Sequence, residues 1–153
     1  MKARLLENGV NDVTQLLSAE HEQITVELNL AVTQPGEIAD IARRLAQVCL
    51  PHFAFEEEIM FPVFARLRVG ASREDPQAAV SDLADQLALF RRERLRLHSH
   101  HKSISACVKE LLAAAYKEGN QEATELAHLL TKHERIENDL ELAAHELGML
   151  PRN

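Results

Sequence analysis

Four histidines in this sequence share one apolar spacing, with apolar residues three and seven positions after each of them. They are His21, His52, His101 and His133. Spacings of three and seven fall on one face of an α-helix, so each histidine is predicted to lie on the buried stripe of an amphipathic helix. A glutamate follows four positions after two of them, Glu56 after His52 and Glu137 after His133. Imidazoles and carboxylates that converge in one interior predict a metal site.

The two His-x-x-x-Glu pairs are the strongest part of this pattern, because residues four apart lie one helical turn apart on the same face. Two such pairs can hold two metal ions, with each carboxylate bridging or chelating, and His21 and His101 would each add one imidazole. The predicted metal ligands are His21, His52, Glu56, His101, His133 and Glu137. Mixed imidazole and carboxylate ligands suit iron, manganese or zinc, and oxygen-reactive di-iron sites are built this way in helical bundles.

Simpler interpretations exist for each element alone. A single histidine on an apolar stripe is more often a hydrogen-bonded core residue, and a single His-x-x-x-Glu pair more often stabilises its own helix. Here the same arrangement occurs in four helices. Without a cation the core would bury two carboxylates among apolar residues, at a cost on the order of several kcal/mol per ion. The set as a whole therefore favours a metal site.

The other histidines are expected to have lesser roles. His98 lies three residues before His101 and is a candidate for a fifth imidazole ligand. His100 is rotated one residue step from His101 and is predicted to be solvated. His128 and His145 are off the stripe and are predicted to lie at the surface.

Polar residues beside the histidines are candidates for supporting contacts. Glu20 is expected to orient His21 or to face water, and Glu57 to face solvent or a neighbouring helix. Thr25 and Ser105 stand where the other two helices have glutamates. They are expected either to donate hydrogen bonds to the ligands or to leave room for a small ligand.

The periodicity predicts an all-α protein with four helices after an N-terminal tail of residues 1–11. The predicted helices span about 12–34, 37–69, 76–117 and 121–147. Asp12 with Gln15 forms a capping-box pattern for the first helix. Pro51 is predicted to kink the second helix just before His52, Pro62 to end or bend it, and Gly119 to terminate the third.

The chain also contains an internal repeat. His21 and His101 are 80 positions apart, and His52 and His133 are 81 apart. Two similar helical hairpins predict an up-down-up-down antiparallel four-helix bundle with pseudo-twofold symmetry. At 153 residues the chain fits a single domain, 1–153.

Composition narrows the possible partners. The net charge of −7 disfavours nucleic acid and anionic membranes. No apolar run approaches the ~20 residues of a membrane span, and no secretory signal is visible, so a cytoplasmic location is expected. Cys49 and Cys107 have no ligand spacing and are predicted to be buried thiols.

Together these residues resemble the hemerythrin-like, or HHE cation-binding, domain family. The run His52-Phe-Ala-Phe-Glu56-Glu57-Glu-Ile-Met-Phe61-Pro62 resembles that family's H-x-x-x-E-E…F-P segment, and Glu20-His21, His101 and His133-x-x-x-Glu137 complete the pattern over about residues 12 to 148. The resemblance implies a bundle around a non-haem di-iron centre, oxo- or hydroxo-bridged. Glu56 and Glu137 would bridge the irons, with the four histidines as terminal ligands. A single Fe, Mn or Zn ion is the alternative.

Two departures separate the chain from the oxygen-carrying hemerythrins. Leu97 stands where those proteins have a fifth histidine, and Glu137 follows His133 by four residues where they have an aspartate five residues on. The resemblance is therefore to the bacterial branch that senses O2 or NO, handles iron or repairs iron centres. The expected partner is a small diatomic ligand, O2 or NO, and an oligomer is possible. The alternatives are a di-iron enzyme (oxidase, peroxidase or NO-reducing) and an interaction module with a structural metal.

An open coordination position would be shielded by apolar side chains on the same stripes. These are Ile24, Phe55, Ile59, Ile104, Ile136 and Leu140. An enzyme would also need a proton donor close to the metal, and Tyr116 lies far along its helix from His101.

Overall fold

The computed structural model describes residues 10–69 and 76–146, and these are helical apart from two short turns. The helices are α1 (Val10–Val32), α2 (Glu37–Phe55), α3 (Phe61–Val69), α4 (Pro76–Glu118) and α5 (Gln121–Glu146), and a π-helical turn (Glu56–Met60) joins α2 to α3. The predicted all-α class is confirmed. The loop expected after the second helix and the last residue of the fourth lie outside the described residues.

The helices form a closed ring of neighbours. α1 packs against α2, α2 against α4, α4 against α5, and α5 returns to pack against α1. The turns after α1 and α4 are only a few residues long, which favours antiparallel neighbours. The arrangement is a helical bundle, and α2, the π turn and α3 together make its second member.

Helix ends follow local chemistry. Gly119 has a φ of +63°, the left-handed conformation that ends α4 as predicted. Asn120 then caps α5, since its Oδ1 accepts a hydrogen bond from the Ala123 N–H at 2.9 Å. The predicted cap at Asp12 is wrong, because α1 is already helical at Val10.

The second helix departs from α geometry at its π turn and not at Pro51. The α-helix continues through Pro51 and His52, and the change comes at the π turn, where the Phe61 N–H donates to the Glu56 carbonyl five residues back. Pro62 does not end the helix, because α3 continues to Val69. Pro62 has no N–H, and it stands where the hydrogen-bond register has just shifted, so the missing donor costs little.

Two apolar clusters fill the bundle and leave a polar level between them. The larger cluster includes Leu28, Leu45, Leu111 and Leu126, and the smaller includes Leu17, Met60, Phe64 and Phe90. On α1, His21 lies between Leu17 of the smaller cluster and Ile24 of the larger one. On α5, His133 lies between Leu130 of the larger cluster and Ile136 of the smaller one. The buried polar residues include Glu20, His21, His52, Glu56, His133 and Glu137.

Other expectations concern the cysteines and the membrane. Both cysteines are free; Cys49 is buried as predicted, whereas Cys107 is only half-buried. Burial raises the pKa of the Cys49 thiol, which makes it unreactive. None of the described helices is long and apolar enough to cross a membrane.

Candidate metal centre

The six predicted ligand residues meet at the polar level of the bundle. His21 comes from α1, His52 from α2, Glu56 from the π turn, His101 from α4, and His133 and Glu137 from α5. Each helical member therefore contributes one imidazole. Their assignment as metal ligands stays a prediction; the structure shows that their side chains are close enough to share cations.

His21 and His133 form one side of the cluster, called here the inner half. Their Nε2 atoms lie 3.1 Å apart. Oε2 of Glu56 lies 2.9 Å from the His21 Nε2. These three side chains offer ligand atoms that all lie within 4.8 Å of one another.

His52 and His101 form the other side, called here the outer half. Their Nε2 atoms lie 3.0 Å apart. Oε1 of Glu56 is 2.8 Å from the His52 Nε2, and Oε1 of Glu137 is 2.7 Å from the His101 Nε2. The outer half is therefore a second group of two imidazoles with carboxylate oxygens.

The two carboxylates connect the halves unequally. Glu56 turns one oxygen toward each half, which is the geometry of a bridging carboxylate. Glu137 lies mainly in the outer half, because its Oε2 is 3.8 Å from the nearest inner nitrogen, the His133 Nε2. The spacing left each carboxylate either bridging or chelating, and the family resemblance implied that both bridge. In the structure Glu56 comes within 2.9 Å of both histidine pairs, whereas Glu137 comes that close only to the outer pair.

Two further glutamates fix the inner imidazoles. The Nδ1 of His21 lies 2.8 Å from Oε1 of Glu57, and the Nδ1 of His133 lies 3.0 Å from Oε2 of Glu20. An ionised carboxylate only accepts hydrogen bonds, so each Nδ1 carries the proton and each Nε2 presents a lone pair to the site. Glu20 orients His133 across the α1–α5 interface, not its neighbour His21 as the sequence suggested.

Burial keeps the inner imidazoles neutral. Burial and the neighbouring His133 lower the pKa of His21 to about 3. Burial also lowers the pKa of His133, against the opposing effect of Glu20. Neutral imidazole is the form that binds metals, so both nitrogens are ready to coordinate near neutral pH.

A positive charge would stabilise the buried carboxylates of Glu56 and Glu137. Burial and the facing Glu137 raise the pKa of Glu56 well above its usual range. Burial tends to raise the pKa of Glu137 as well, but the closely spaced Glu56, His101 and His52 side chains hold it well below the usual range. Protein without metal would therefore keep a proton on Glu56 beside an ionised Glu137.

A cation would satisfy atoms that the protein leaves without partners. All four carboxylate oxygens of Glu56 and Glu137 are buried and lack a hydrogen-bond donor. In the inner half, two lone pairs face each other across 3.1 Å. Such a cluster of acceptors is costly by itself and is stable around metal ions. The residues present therefore fit a metal centre with two adjacent positions.

Comparison with known proteins agrees with this geometry. A family model described as the hemerythrin HHE cation binding domain matches residues 12–144. The chain belongs to this family. No curated protein and no solved structure gives a significant match. The HHE family is a cation-binding one, and in this chain histidines and glutamates that could hold a cation converge inside the bundle.

Around this HHE site, His100 contradicts its predicted solvation. It is half-buried, and its ring lies edge-on to His52 with the centroids 5.7 Å apart. Because α2 and α4 pack closely, His100 lies at the same helix interface as its neighbour His101. His98 is exposed and is not part of the ligand cluster, although it lines a cavity next to His101.

The remaining predicted positions differ in outcome. His128 is exposed as predicted, whereas His145 is half-buried, with its Nε2 2.9 Å from Nη2 of Arg94. Thr25 donates a hydrogen bond to the His21 backbone carbonyl at 2.7 Å, so it braces the helix and not the imidazole. Ser105 is half-buried.

Phe53 is a contact that sequence reasoning missed. Its ring stacks on the His21 imidazole with the centroids 4.0 Å apart. It directly follows His52 in the chain, and that adjacency was the only available signal.

Proposed function

We propose that this HHE domain holds two iron ions and uses them to bind a small diatomic ligand, O2 or NO, in sensing or in iron handling. Its ligands would be the six residues predicted from the sequence, with His21 and His133 at one iron and His52 and His101 at the other. The observation that carries the proposal is the position of Glu56, whose two oxygens face different histidine pairs at 2.9 and 2.8 Å.

Two ions account for the cluster better than one. In each half, the two Nε2 atoms lie about as far apart as neighbouring ligands of a single ion. The distance is 3.1 Å in the inner half and 3.0 Å in the outer half. Glu56 then lies between the halves as a shared ligand. Imidazole and carboxylate together suit iron, and a single Fe, Mn or Zn ion is the competing result.

Bound iron would supply reversible ligation of a diatomic molecule and one-electron redox chemistry. The protein's own residues set how much of the coordination shell stays open. Leu97 is buried and apolar at the position where oxygen carriers have a further histidine, so it contributes no ligand. Ile104 and Ile136 are buried beside the site and exclude water from it.

No tyrosine is placed beside the site to support catalytic turnover. The only tyrosine, Tyr116, is 64% exposed and four turns along α4 from His101. It is therefore not placed to deliver protons to the site. The cytoplasmic location predicted from the sequence stays a prediction.

The test is metal analysis of protein expressed in iron-rich medium, followed by optical and electron paramagnetic resonance spectra with NO under reducing conditions. We expect two irons per chain and an NO-dependent spectrum. His52→Ala and His133→Ala should each lower the iron content, whereas His128→Ala, which changes an exposed histidine, should not. One zinc per chain, or iron content unchanged in both variants, would refute the proposal.

A further inference from the structure

The two halves of the site differ in how their histidines are supported. In the inner half, both Nδ1 atoms meet carboxylates, from Glu57 and Glu20. In the outer half, the Nδ1 of His52 is buried and has no hydrogen-bond partner. Carboxylates that orient ligand histidines typically strengthen metal binding by about 10- to 100-fold. The inner half is therefore expected to bind its metal ion more tightly than the outer half does.

The halves also differ in their access to solvent. The side chain of His101 is 18% exposed, whereas those of the other five predicted ligands are at most 3% exposed. Glu57 covers the Nδ1 of His21 on the inner side. A metal ion or small molecule that arrives from solvent therefore meets the outer half first.

A cavity of about 630 Å³ between α4 and α5 leads to His101. Its lining includes His98 and Asn138, and Glu141 is the acidic residue among its described lining residues. Glu141 is half-buried and lies one turn beyond Glu137 on α5, which places a carboxylate on the cavity wall near the outer half.

Arginines also border this cavity, and they restrict where a cation can pass. Arg91 and Arg94 line it two or more turns before His101 on α4. Arg94 donates to the His145 Nε2 at 2.9 Å, and its charge also acts on Glu141. Glu141 lines the α5 wall of the cavity one turn from Glu137, where an ionised carboxylate favours a cation.

Building on the two cation positions of the proposed function, we infer that the outer position, between His52 and His101, is the exchangeable one. Cations reach it through the α4–α5 cavity, and Glu141 is the carboxylate that receives them on the way. The inner position, held by His21 and His133, fills from the outer one and releases its ion slowly.

Cobalt(II) titration under anaerobic conditions tests this, because its ligand-field absorption reports each equivalent bound. Stopped-flow mixing of the metal-free protein with cobalt gives the uptake rates, and a chelator chase gives the release rates. We expect release in two phases of equal amplitude, with the fast phase lost in His52→Ala. Glu141→Gln should slow uptake by about threefold or more at low ionic strength, and salt should reduce the difference.

Glu125→Gln is the matched control, because Glu125 is exposed near the other end of α5 and its substitution changes the net charge equally. Asn138→Lys is a second variant that adds a positive charge at the cavity without touching a predicted ligand, and it should also slow uptake. Equal uptake rates in Glu141→Gln and Glu125→Gln, or release of two equivalents in one phase, would overturn this inference alone. Failure to bind cobalt at all would overturn the proposed function as well.

Discussion

The Nδ1 of His21 lies 2.8 Å from Oε1 of Glu57, which joins α1 to the π turn directly beside the predicted bridging residue Glu56. Two adjacent glutamates, Glu56 and Glu57, therefore contact the His21 imidazole on opposite sides. Glu56 faces its Nε2, and Glu57 faces its Nδ1. Orientation of the imidazole and presentation of the bridging carboxylate therefore depend on one short segment.

Glu57→Gln should weaken metal binding at the inner half by about tenfold, because an amide supports the imidazole less strongly than a carboxylate does. Stability of the metal-free protein should change little, since Glu57 is 44% exposed. Competition with a chromogenic chelator measures the affinity. Glu58→Gln is the control, because Glu58 is exposed. Equal affinities of the two variants would contradict an orienting role for Glu57.

Glu56→Gln should stabilise the metal-free protein while it removes the shared ligand. Burial raises the pKa of Glu56, so folding without metal at neutral pH requires this carboxyl to take up a proton. A glutamine is already neutral and can still donate to Glu137. We expect a gain of about 1–2 kcal/mol in the free energy of unfolding, measured by urea denaturation with chelator present. Iron content should fall to one per chain or less. Lower stability than wild type would show that Glu56 contributes to folding without metal.

The contribution of His21 to the stability of the metal-free protein should fall as the pH drops below about 6.5, whereas Glu56, whose pKa is raised by burial, acts in the opposite direction. The unfolded chain protonates its imidazoles near that pH, whereas burial and His133 lower the pKa of folded His21 to about 3. At His21 the unfolded state therefore binds more protons over this interval, and the loss continues down to about pH 3. Each such histidine contributes a slope of at most about 1.4 kcal/mol per pH unit.

Urea denaturation between pH 4.5 and 7 measures that slope. His21→Gln should flatten it, whereas His128→Gln should leave it unchanged because His128 is exposed. An unchanged slope in His21→Gln would show that the buried imidazole is not the source of the pH dependence.

Phe53→Leu should destabilise the fold by about 1–2 kcal/mol, because Phe53 is 5% exposed and its ring stacks on His21. The loss of stacking should also loosen the imidazole and reduce the metal affinity of the inner half. Thermal unfolding and chelator competition test the two effects. Phe55→Leu is the comparison, since Phe55 is only half-buried. A larger loss of affinity in Phe55→Leu would contradict the stacking role.

The sequence predicted those features that repeat with helical period. His21, His52, His101 and His133 each follow the rule of three and seven, and the structure brings all four together at one level. Gly119 was predictable for a similar reason, because a glycine after a periodic stretch signals a helix end. These signals are local, and packing did not override them.

Contacts between helices were harder to predict. Glu20 is next to His21 in the chain but orients His133, because the side chain that it meets depends on how α1 rotates against α5. His100 similarly faces α2 because of the close approach of two helices. Neither fact follows from spacing within one helix, so such supporting residues become visible only when the helices are assembled.

The π turn at Glu56–Met60 sets how the helix face that carries the site is rotated relative to the face that packs into the smaller apolar cluster. An α-helix advances by 100° per residue, and the wider turn acts like one inserted residue. His52 before the turn and Glu56 at its start face the other histidines, and Phe61 and Phe64 after it belong to the smaller apolar cluster. Because of the extra residue, the face that carries the site and the face that packs into the smaller apolar cluster can be oriented independently. Shortening the segment by one residue would rotate α3 by about 100° relative to the site and force a choice between core packing and ligand geometry.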